Sequence, residues 1–92
     1  MDSIFFTNQA RRIFKKLPHD VQDRLKKEAS ALDQNPLAGE PLQGSYRSYQ
    51  SLHLSYKGVA YRIIYQILAK ANSIVLADKR ENIYKRLQEM KL

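Results

Sequence analysis

Cysteine and tryptophan are absent from this 92-residue chain, and glycine and proline occur only three times each. Without cysteine, the chain forms no disulfide, thiolate metal site or thiol nucleophile, which suits a reducing cytoplasm. No apolar run approaches the ~20 residues that span a bilayer, and the N-terminal residues lack the basic start and long apolar stretch of a signal peptide. We therefore expect a cytoplasmic protein without a membrane partner, folded as a single domain over residues 1–92.

Positive charge is concentrated in the second half of the chain. Residues 46–92 carry nine Lys/Arg against three Asp/Glu, whereas residues 1–45 carry seven against six, and all six tyrosines lie in the second half. Basic side chains with interleaved aromatic rings suit a phosphate backbone and stackable bases. The same rings could equally be core residues of a sheet. The net charge of +7 favours a polyanionic partner such as RNA, DNA, an acidic protein or an anionic membrane.

The first half has the pattern of a strand followed by two helices. Residues 3–6 are apolar and aromatic and predict a strand. Thr7 or Asn8 is placed to cap a first helix that extends to Leu17. Pro18 breaks that helix and suits the first turn of a second one, which continues to about Gln34. Apolar residues recur at helical spacing in both segments, and the short connection predicts an antiparallel helical hairpin.

The second half predicts three strands and a short helix. Residues 35–44 hold two of the three prolines and two of the three glycines and form a connecting loop. Alternating or branched residues then predict strands over 46–56, 59–68 and 73–77, with turns between them. Ile83, Leu87 and Met90 lie at i, i+4 and i+7 and predict a C-terminal helix. We expect an α+β domain with a three-stranded antiparallel meander, covered by helices on one face and open on the other.

Several polar side chains are expected on that open face. Ser51 and His53 alternate with apolar residues on one strand. Arg62 interrupts an otherwise apolar strand, so its guanidinium either points to the open face or pairs with Asp78 or Glu81. Arg80 and Tyr84 are four residues apart and share a helix face. Together with Lys57, these residues would form a phosphate-binding platform.

The second half offers few ligands for a metal ion, because it holds three carboxylates and one histidine. RNA needs no such centre, since its own 2′-OH attacks the neighbouring phosphate once the backbone is oriented. Arginines, a histidine and a tyrosine would be sufficient to move protons and to stabilise the charge that develops.

Three segments of the second half form a recognisable series. They are Asn35-Pro36-Leu37-Ala38-Gly39-Glu40-Pro41-Leu42-Gln43-Gly44-Ser45-Tyr46-Arg47, Tyr61-Arg62-Ile63-Ile64-Tyr65-Gln66-Ile67 and Asp78-Lys79-Arg80-Glu81-Asn82-Ile83-Tyr84. In this order they resemble the RelE/ParE toxin superfamily, and the resemblance spans nearly the full chain. The resemblance implies a small basic toxin of a type II toxin–antitoxin module. The RelE branch cleaves mRNA in the ribosomal A site, the ParE branch inhibits DNA gyrase, and a cognate antitoxin neutralises either toxin.

By position, the resemblance assigns roles to three residues. Arg62 would hold the scissile phosphate, Arg80 would stabilise the charge of the transition state, and Tyr84 would stack on or orient the nucleotide. RelE has two lysines on the preceding strand where this chain has Ser51 and His53, so His53 becomes the candidate acid or base.

Four further residues are expected to contact the substrate, namely Arg47, Ser51, Lys57 and Lys79. The resulting prediction is a ribosome-dependent mRNA endonuclease that uses no metal or cofactor. Its partners would be an antitoxin, the ribosome and mRNA, with operator DNA bound only through the antitoxin. The alternatives are a non-catalytic, ParE-like gyrase inhibitor and an inactive relative that mainly binds an antitoxin.

Overall fold

The structure is a computed structural model that describes residues 4–46, 48–69 and 71–89. Within these ranges the chain forms, besides two short 3-10 helices, five strands and three α-helices. They are β1 (Ile4–Phe6), α1 (Asn8–Phe14), α2 (His19–Ala31), β2 (Glu40–Pro41), β3 (Gln50–Tyr56), β4 (Val59–Ile67), β5 (Asn72–Lys79) and α3 (Arg80–Glu89). None of these helices combines the length and the apolar character needed to cross a membrane. The order confirms the α+β fold class predicted from the sequence.

The strands form one sheet in the order β1-β5-β4-β3-β2. β3, β4 and β5 are the predicted antiparallel meander, and β1 adds to its edge parallel to β5. The two-residue strand β2 pairs with β3 on the other edge, inside a segment that the sequence predicted to be a loop. The register of the meander sets His53 opposite Arg62, and Arg62 opposite Asp78, so these three residues lie in one row across the sheet.

The helical hairpin is fixed at its ends by side chains. The Thr7 hydroxyl accepts a hydrogen bond from the backbone N–H of Ala10 and caps α1, as predicted. Pro18 is the residue before α2 rather than part of its first turn. The amide of Gln22 donates to the carbonyl oxygens of Lys15 and Leu17, at 3.3 and 2.7 Å. These bonds satisfy carbonyls that α1 leaves without helical partners and tie the two helices together.

The sheet is covered on both faces, which corrects the expectation of one open face. The first face carries Tyr61, Ile63 and Tyr65 of β4, and they pack with apolar residues of α1 and α2. The opposite face carries Ile64, and it packs with Ile83 and Leu87 of α3. The expectation was wrong because a helix with a narrow apolar stripe still buries that stripe against the nearest apolar surface. The polar row of His53, Arg62 and Asp78 lies at one end of this second face.

A β-bulge lets both faces of β5 remain apolar. The register between β4 and β5 shifts between Ile64 and Tyr65, so that Ile64 pairs with Leu76 and Tyr65 pairs with Ile74. Val75 is the extra residue. Leu76 and Val75 therefore join the core under α3, while Ile74 joins the core under the helices α1 and α2.

The connection between α2 and β3 is held against the sheet by Tyr65. Its phenol donates to the carbonyl oxygen of Pro36 at 2.6 Å and accepts from the N–H of Gly39 at 3.0 Å. Burial raises the pKa of Tyr65, so the phenol stays neutral in this position. A Cβ atom at position 39 would lie only 2.7 Å from the Tyr65 oxygen, so this close approach requires glycine.

Candidate active site

Arg62 is nine-tenths buried in the middle of the polar row, at 9% exposure. One of its terminal nitrogens, Nη1, donates to the Tyr84 oxygen at 2.5 Å, and its guanidinium carbon lies 5.3 Å from the centre of the Tyr84 ring. Both contacts hold the cation without neutralising it. Among the described residues, Arg62 forms no ion pair. A buried cation without a counter-ion attracts an anion strongly, because little water screens it.

Asp78 faces Arg62 across the sheet but is occupied by other donors. Its carboxylate accepts from Arg86 Nε at 2.5 Å, from the backbone N–H of Lys79 at 2.7 Å and from the amide of Asn82 at 3.5 Å. The ion pair between Arg62 and Asp78 that the sequence left open is therefore not formed. The Arg62 charge remains available at the surface of the sheet.

Three neighbouring depressions share lining residues in this part of the surface, and Arg62 lines two of them. The arginine hollow, of about 340 Å³, is lined by His53, Arg62 and Arg80 together with residues of the β3–β4 hairpin. The β3–α3 cleft, of about 500 Å³, lies between β2, β3 and α3. The turn groove, of about 600 Å³, lies between the β3–β4 turn and the start of α3.

Each of the four predicted catalytic residues lines two of these depressions. Tyr84 lines both the β3–α3 cleft and the turn groove, and Arg80 lines both the turn groove and the arginine hollow. Arg62 and His53 line the hollow and the cleft. Arg80 is exposed at the first residue of α3, and His53 is exposed on β3. The structure thus brings Arg62, Arg80, His53 and Tyr84 to one place.

The four expected substrate contacts are distributed differently. Lys79 lines the turn groove beside Arg80. Ser51 lines the β3–α3 cleft, and its buried hydroxyl has no hydrogen-bond partner among the described residues. Lys57 is not among the residues lining the three depressions, because its ammonium pairs with Asp20 of α2 at 2.8 Å. Arg47 lies outside the described residues.

The tyrosines divide between core and surface. Tyr61 and Tyr65 are buried. Tyr56 packs against the core under α1 and α2, and its hydroxyl donates to Asp20. Tyr46 packs against the core under α3 and also lines the β3–α3 cleft.

Sequence reasoning missed the polar residues that complete the cleft. Gln43 of the α2–β3 connection and Gln88 of α3 line it together with Glu40, and Pro41, Leu42 and Leu87 supply apolar walls. Arg86 of α3 turns back to Asp78 and pairs with it. A helical wheel marks Gln88 only as one more polar position, so its approach to β3 depends on how α3 packs.

The arrangement suits the binding of a phosphodiester. Two guanidinium groups in one hollow supply charge and directional donors for phosphate oxygens. An imidazole and a phenol beside them supply groups that exchange protons or orient a nucleotide. Among the described residues, no group of three or more His, Cys, Asp and Glu side chains is arranged to hold a metal ion.

Comparison with known proteins gives the class of this protein. The family of ParE-like toxins of type II bacterial toxin–antitoxin systems matches residues 4–88. The chain belongs to this family. No curated protein matches the chain by sequence.

Solved structures agree with this membership. The chain is similar to the RelBE2 toxin–antitoxin complex from Mycobacterium tuberculosis, with 29% identity and a TM-score of 0.72 over 86% of this chain and 98% of the other. It is also similar in fold to the isolated RelE toxin of E. coli, with 22% identity, a TM-score of 0.69 and full coverage of both chains. YafQ from E. coli is similar over 91% of this chain and 99% of its own, with 20% identity and a TM-score of 0.65.

Proposed function

We propose that this toxin is a ribosome-dependent endonuclease that cleaves mRNA in the A site. The observation that carries the proposal is that Arg62 and Arg80 line the same hollow with His53, and that neither arginine forms an ion pair among the described residues. Two such cations match the charge on a scissile phosphate and on the phosphorane that follows it. The likeness in fold to the RelE toxin supports this choice of reaction.

The reaction is an internal transfer within the RNA. The ribose 2′-oxygen forms a bond to the adjacent phosphorus as its proton leaves, and the bond from phosphorus to the 5′-oxygen breaks as that oxygen gains a proton. The products are a 2′,3′-cyclic phosphate and a 5′-OH. Arg62 and Arg80 hold the phosphate oxygens, and His53 takes up or delivers one of the two protons. Tyr84 positions the nucleotide by stacking.

The β3–α3 cleft holds the base of the nucleotide that stacks on Tyr84. It has apolar walls at Pro41, Leu42 and Leu87, and amide groups at Gln43 and Gln88. Glutamine amides donate and accept at once and pair with base edges, with adenine as the preferred partner. The cleft therefore contributes a base preference in addition to the phosphate contacts.

A cognate antitoxin is the proposed protein partner. The net charge of +7 calls for an acidic antitoxin segment, and apolar side chains on that segment would fill the grooves beside the sheet. Charge complementarity accelerates association, so raising the salt concentration should slow the on-rate. Operator DNA is bound only through the antitoxin, and the toxin acts on ribosomes in the cytoplasm.

A second candidate function follows from the family match. The matching family is described as ParE-like, and the chain lacks the lysine pair expected of RelE. A ParE-like toxin would use the same basic surface as a protein interface and would inhibit DNA gyrase without catalysis. The third possibility is a relative that mainly binds its antitoxin.

Two assays after induction of the toxin separate these functions: primer extension on mRNA, and a measurement of gyrase-dependent DNA damage. The endonuclease gives cuts in phase with codons, the gyrase inhibitor gives gyrase-dependent DNA damage, and an inactive relative gives neither. Arg80→Ala should abolish both the cuts and the growth arrest while the protein remains folded, because Arg80 is exposed and outside the core. Lys85→Ala, an exposed charge on the same helix, is the matched control. A fully toxic Arg80→Ala protein would remove Arg80 from the site.

A further inference from the structure

Arg62 and Asp78 would normally be expected to pair. They are directly opposite on β4 and β5, and side chains at such positions lie on the same face with Cβ atoms about 5 Å apart. The long arginine side chain covers that distance easily. Both residues are buried, Arg62 at 9% and Asp78 at 3% exposure. An ion pair between them would satisfy two costly buried charges at once.

The structure resolves this competition in favour of Arg86. Asp78 accepts from Arg86 Nε at 2.5 Å and from Asn82, both on α3. Arg62 turns instead to the phenol of Tyr84, also on α3. The helix therefore supplies a cation for the buried carboxylate and a neutral partner for the buried guanidinium.

We propose that Arg86 is a positioning residue that keeps the charge of Asp78 away from Arg62, so that Arg62 remains free for a phosphate. The inference rests on the proposed function, since it assigns the purpose of a free Arg62 to phosphate binding. Arg86 itself does not line the three depressions around Arg62 and acts only through Asp78. The packing of α3 thus determines which charges in the site remain unpaired, as well as the shape of the site.

Removal of Arg86 has a definite consequence. Asp78 then has a buried carboxylate without its cation, and the residue directly opposite it on β4 is Arg62. Arg62 would leave Tyr84 and pair with Asp78, because an uncompensated buried carboxylate is expensive. The site would lose one of the two charges that hold the phosphate.

The test is a titration of the full-length protein with inorganic phosphate, followed through the Nε–Hε resonance of Arg62. Arg86→Ala should bind phosphate roughly tenfold to a hundredfold more weakly, the loss expected for one charge-assisted hydrogen bond. The Arg62 resonance should also shift before phosphate is added. Asp78→Asn in the Arg86→Ala background should restore both the affinity and the resonance, because the competing charge is gone. Lys85→Ala controls for the lost positive charge.

The double variant separates electrostatics from structure. If Arg86 merely fastened α3, Asp78→Asn/Arg86→Ala would bind as weakly as Arg86→Ala, and that result would overturn the inference. Unchanged affinity in Arg86→Ala would also overturn it. Arg86→Gln keeps the side-chain length and a donor, and it gives the same comparison if Arg86→Ala does not fold. A wild-type protein that binds no phosphate would contradict the proposed phosphate binding by Arg62 and Arg80. That result differs from a failure of the role proposed for Arg86.

Discussion

The phenol of Tyr84 and the guanidinium of Arg62 form one unit across the surface of the sheet. Arg62 donates to the Tyr84 oxygen and lies 5.3 Å from the centre of its ring, although the two residues are separated by 22 positions in the chain. Arg62 is nearly buried, whereas Tyr84 is 54% exposed. Tyr84 therefore contacts the cation while more than half of the residue stays accessible to a nucleotide.

This unit predicts different effects for two changes at Tyr84. Tyr84→Phe keeps the ring but removes the bond to Arg62, so RNA cleavage should fall roughly tenfold, the value of one hydrogen bond to a charged group. Tyr84→Ala also removes the stacking surface and should cost about a hundredfold or more. Single-turnover cleavage of ribosome-bound mRNA measures both. Equal activity in the two variants would show that the ring contributes nothing beyond its hydroxyl.

A second prediction concerns the base preference of the β3–α3 cleft. Gln88→Ala removes an amide from its lining, so discrimination between bases at the stacked nucleotide should weaken by about 1–3 kcal/mol. The total amount of cleavage should change less, because the phosphate contacts remain. Sequencing of cleavage sites across a transcriptome gives the measurement. Gln34→Ala, which changes an exposed glutamine after α2, is the control. An unaltered base profile in Gln88→Ala would exclude the cleft from recognition.

The close approach at Gly39 predicts a loss of stability. The Cβ of Gly39→Ala would meet the Tyr65 oxygen at 2.7 Å and the Ser51 carbonyl oxygen at 2.8 Å. The free energy of unfolding should fall by about 1–3 kcal/mol, as for other overpacked sites. Leu37→Ala, at a position that is 74% exposed, should change it by less than about 0.5 kcal/mol. Urea denaturation compares the two, and wild-type stability in Gly39→Ala would contradict this account of the connection.

The ion pair between Asp20 and Lys57 predicts a pH-dependent contribution to stability. The hydrogen bond from Lys57 lowers the pKa of Asp20 from its usual 3.8. The stabilisation is therefore complete above pH 3.8 and disappears as the pH falls through the lowered pKa of the folded state. Asp20 in turn raises the pKa of Lys57 above 10.5, so the same contribution is lost at high pH as the folded-state pKa of Lys57 is passed.

Thermal denaturation of the wild type and of Asp20→Asn checks this window. The melting temperature of Asp20→Asn should be lower at pH 7, and the difference should vanish in strong acid, where the wild-type carboxylate is also neutral. Asp23→Asn, another exposed position on α2, is the matched comparison. A difference between wild type and Asp20→Asn that is constant from pH 7 to strong acid would contradict the assignment.

Local patterns in the sequence were sufficient to predict the three helices and the longer strands, but not the two-residue strand β2. The helical stripes and the alternating strands are short-range periodicities, and the Thr7 cap depends on a contact three residues away. Arg62 was identified because a single charged residue in an apolar strand is costly to bury unless its charge is paired or used. Arg80 and Tyr84 followed from helical spacing and from the resemblance to known toxins.

The remaining features depend on contacts that local rules do not describe. The stripe of α3 is short, and nothing in it indicates that the helix would cover the second face of the sheet. The bond from Arg86 to Asp78 joins a helix to the end of a strand, and Lys57 meets Asp20 across 37 positions. Each of these contacts is decided by tertiary packing. They determine which charges stay free at the site and which are neutralised.

The most direct test of the account removes one 2′-hydroxyl group from the substrate. Ribosomes are programmed with an mRNA whose A-site codon carries a single 2′-deoxynucleotide on the 5′ side of the cleavage point, and the purified toxin is added. We expect the all-ribose mRNA to be cut to a 2′,3′-cyclic phosphate and a 5′-OH, and the substituted mRNA to remain intact. Equal cutting of the two messages would contradict the mechanism, because the attacking group would then come from elsewhere.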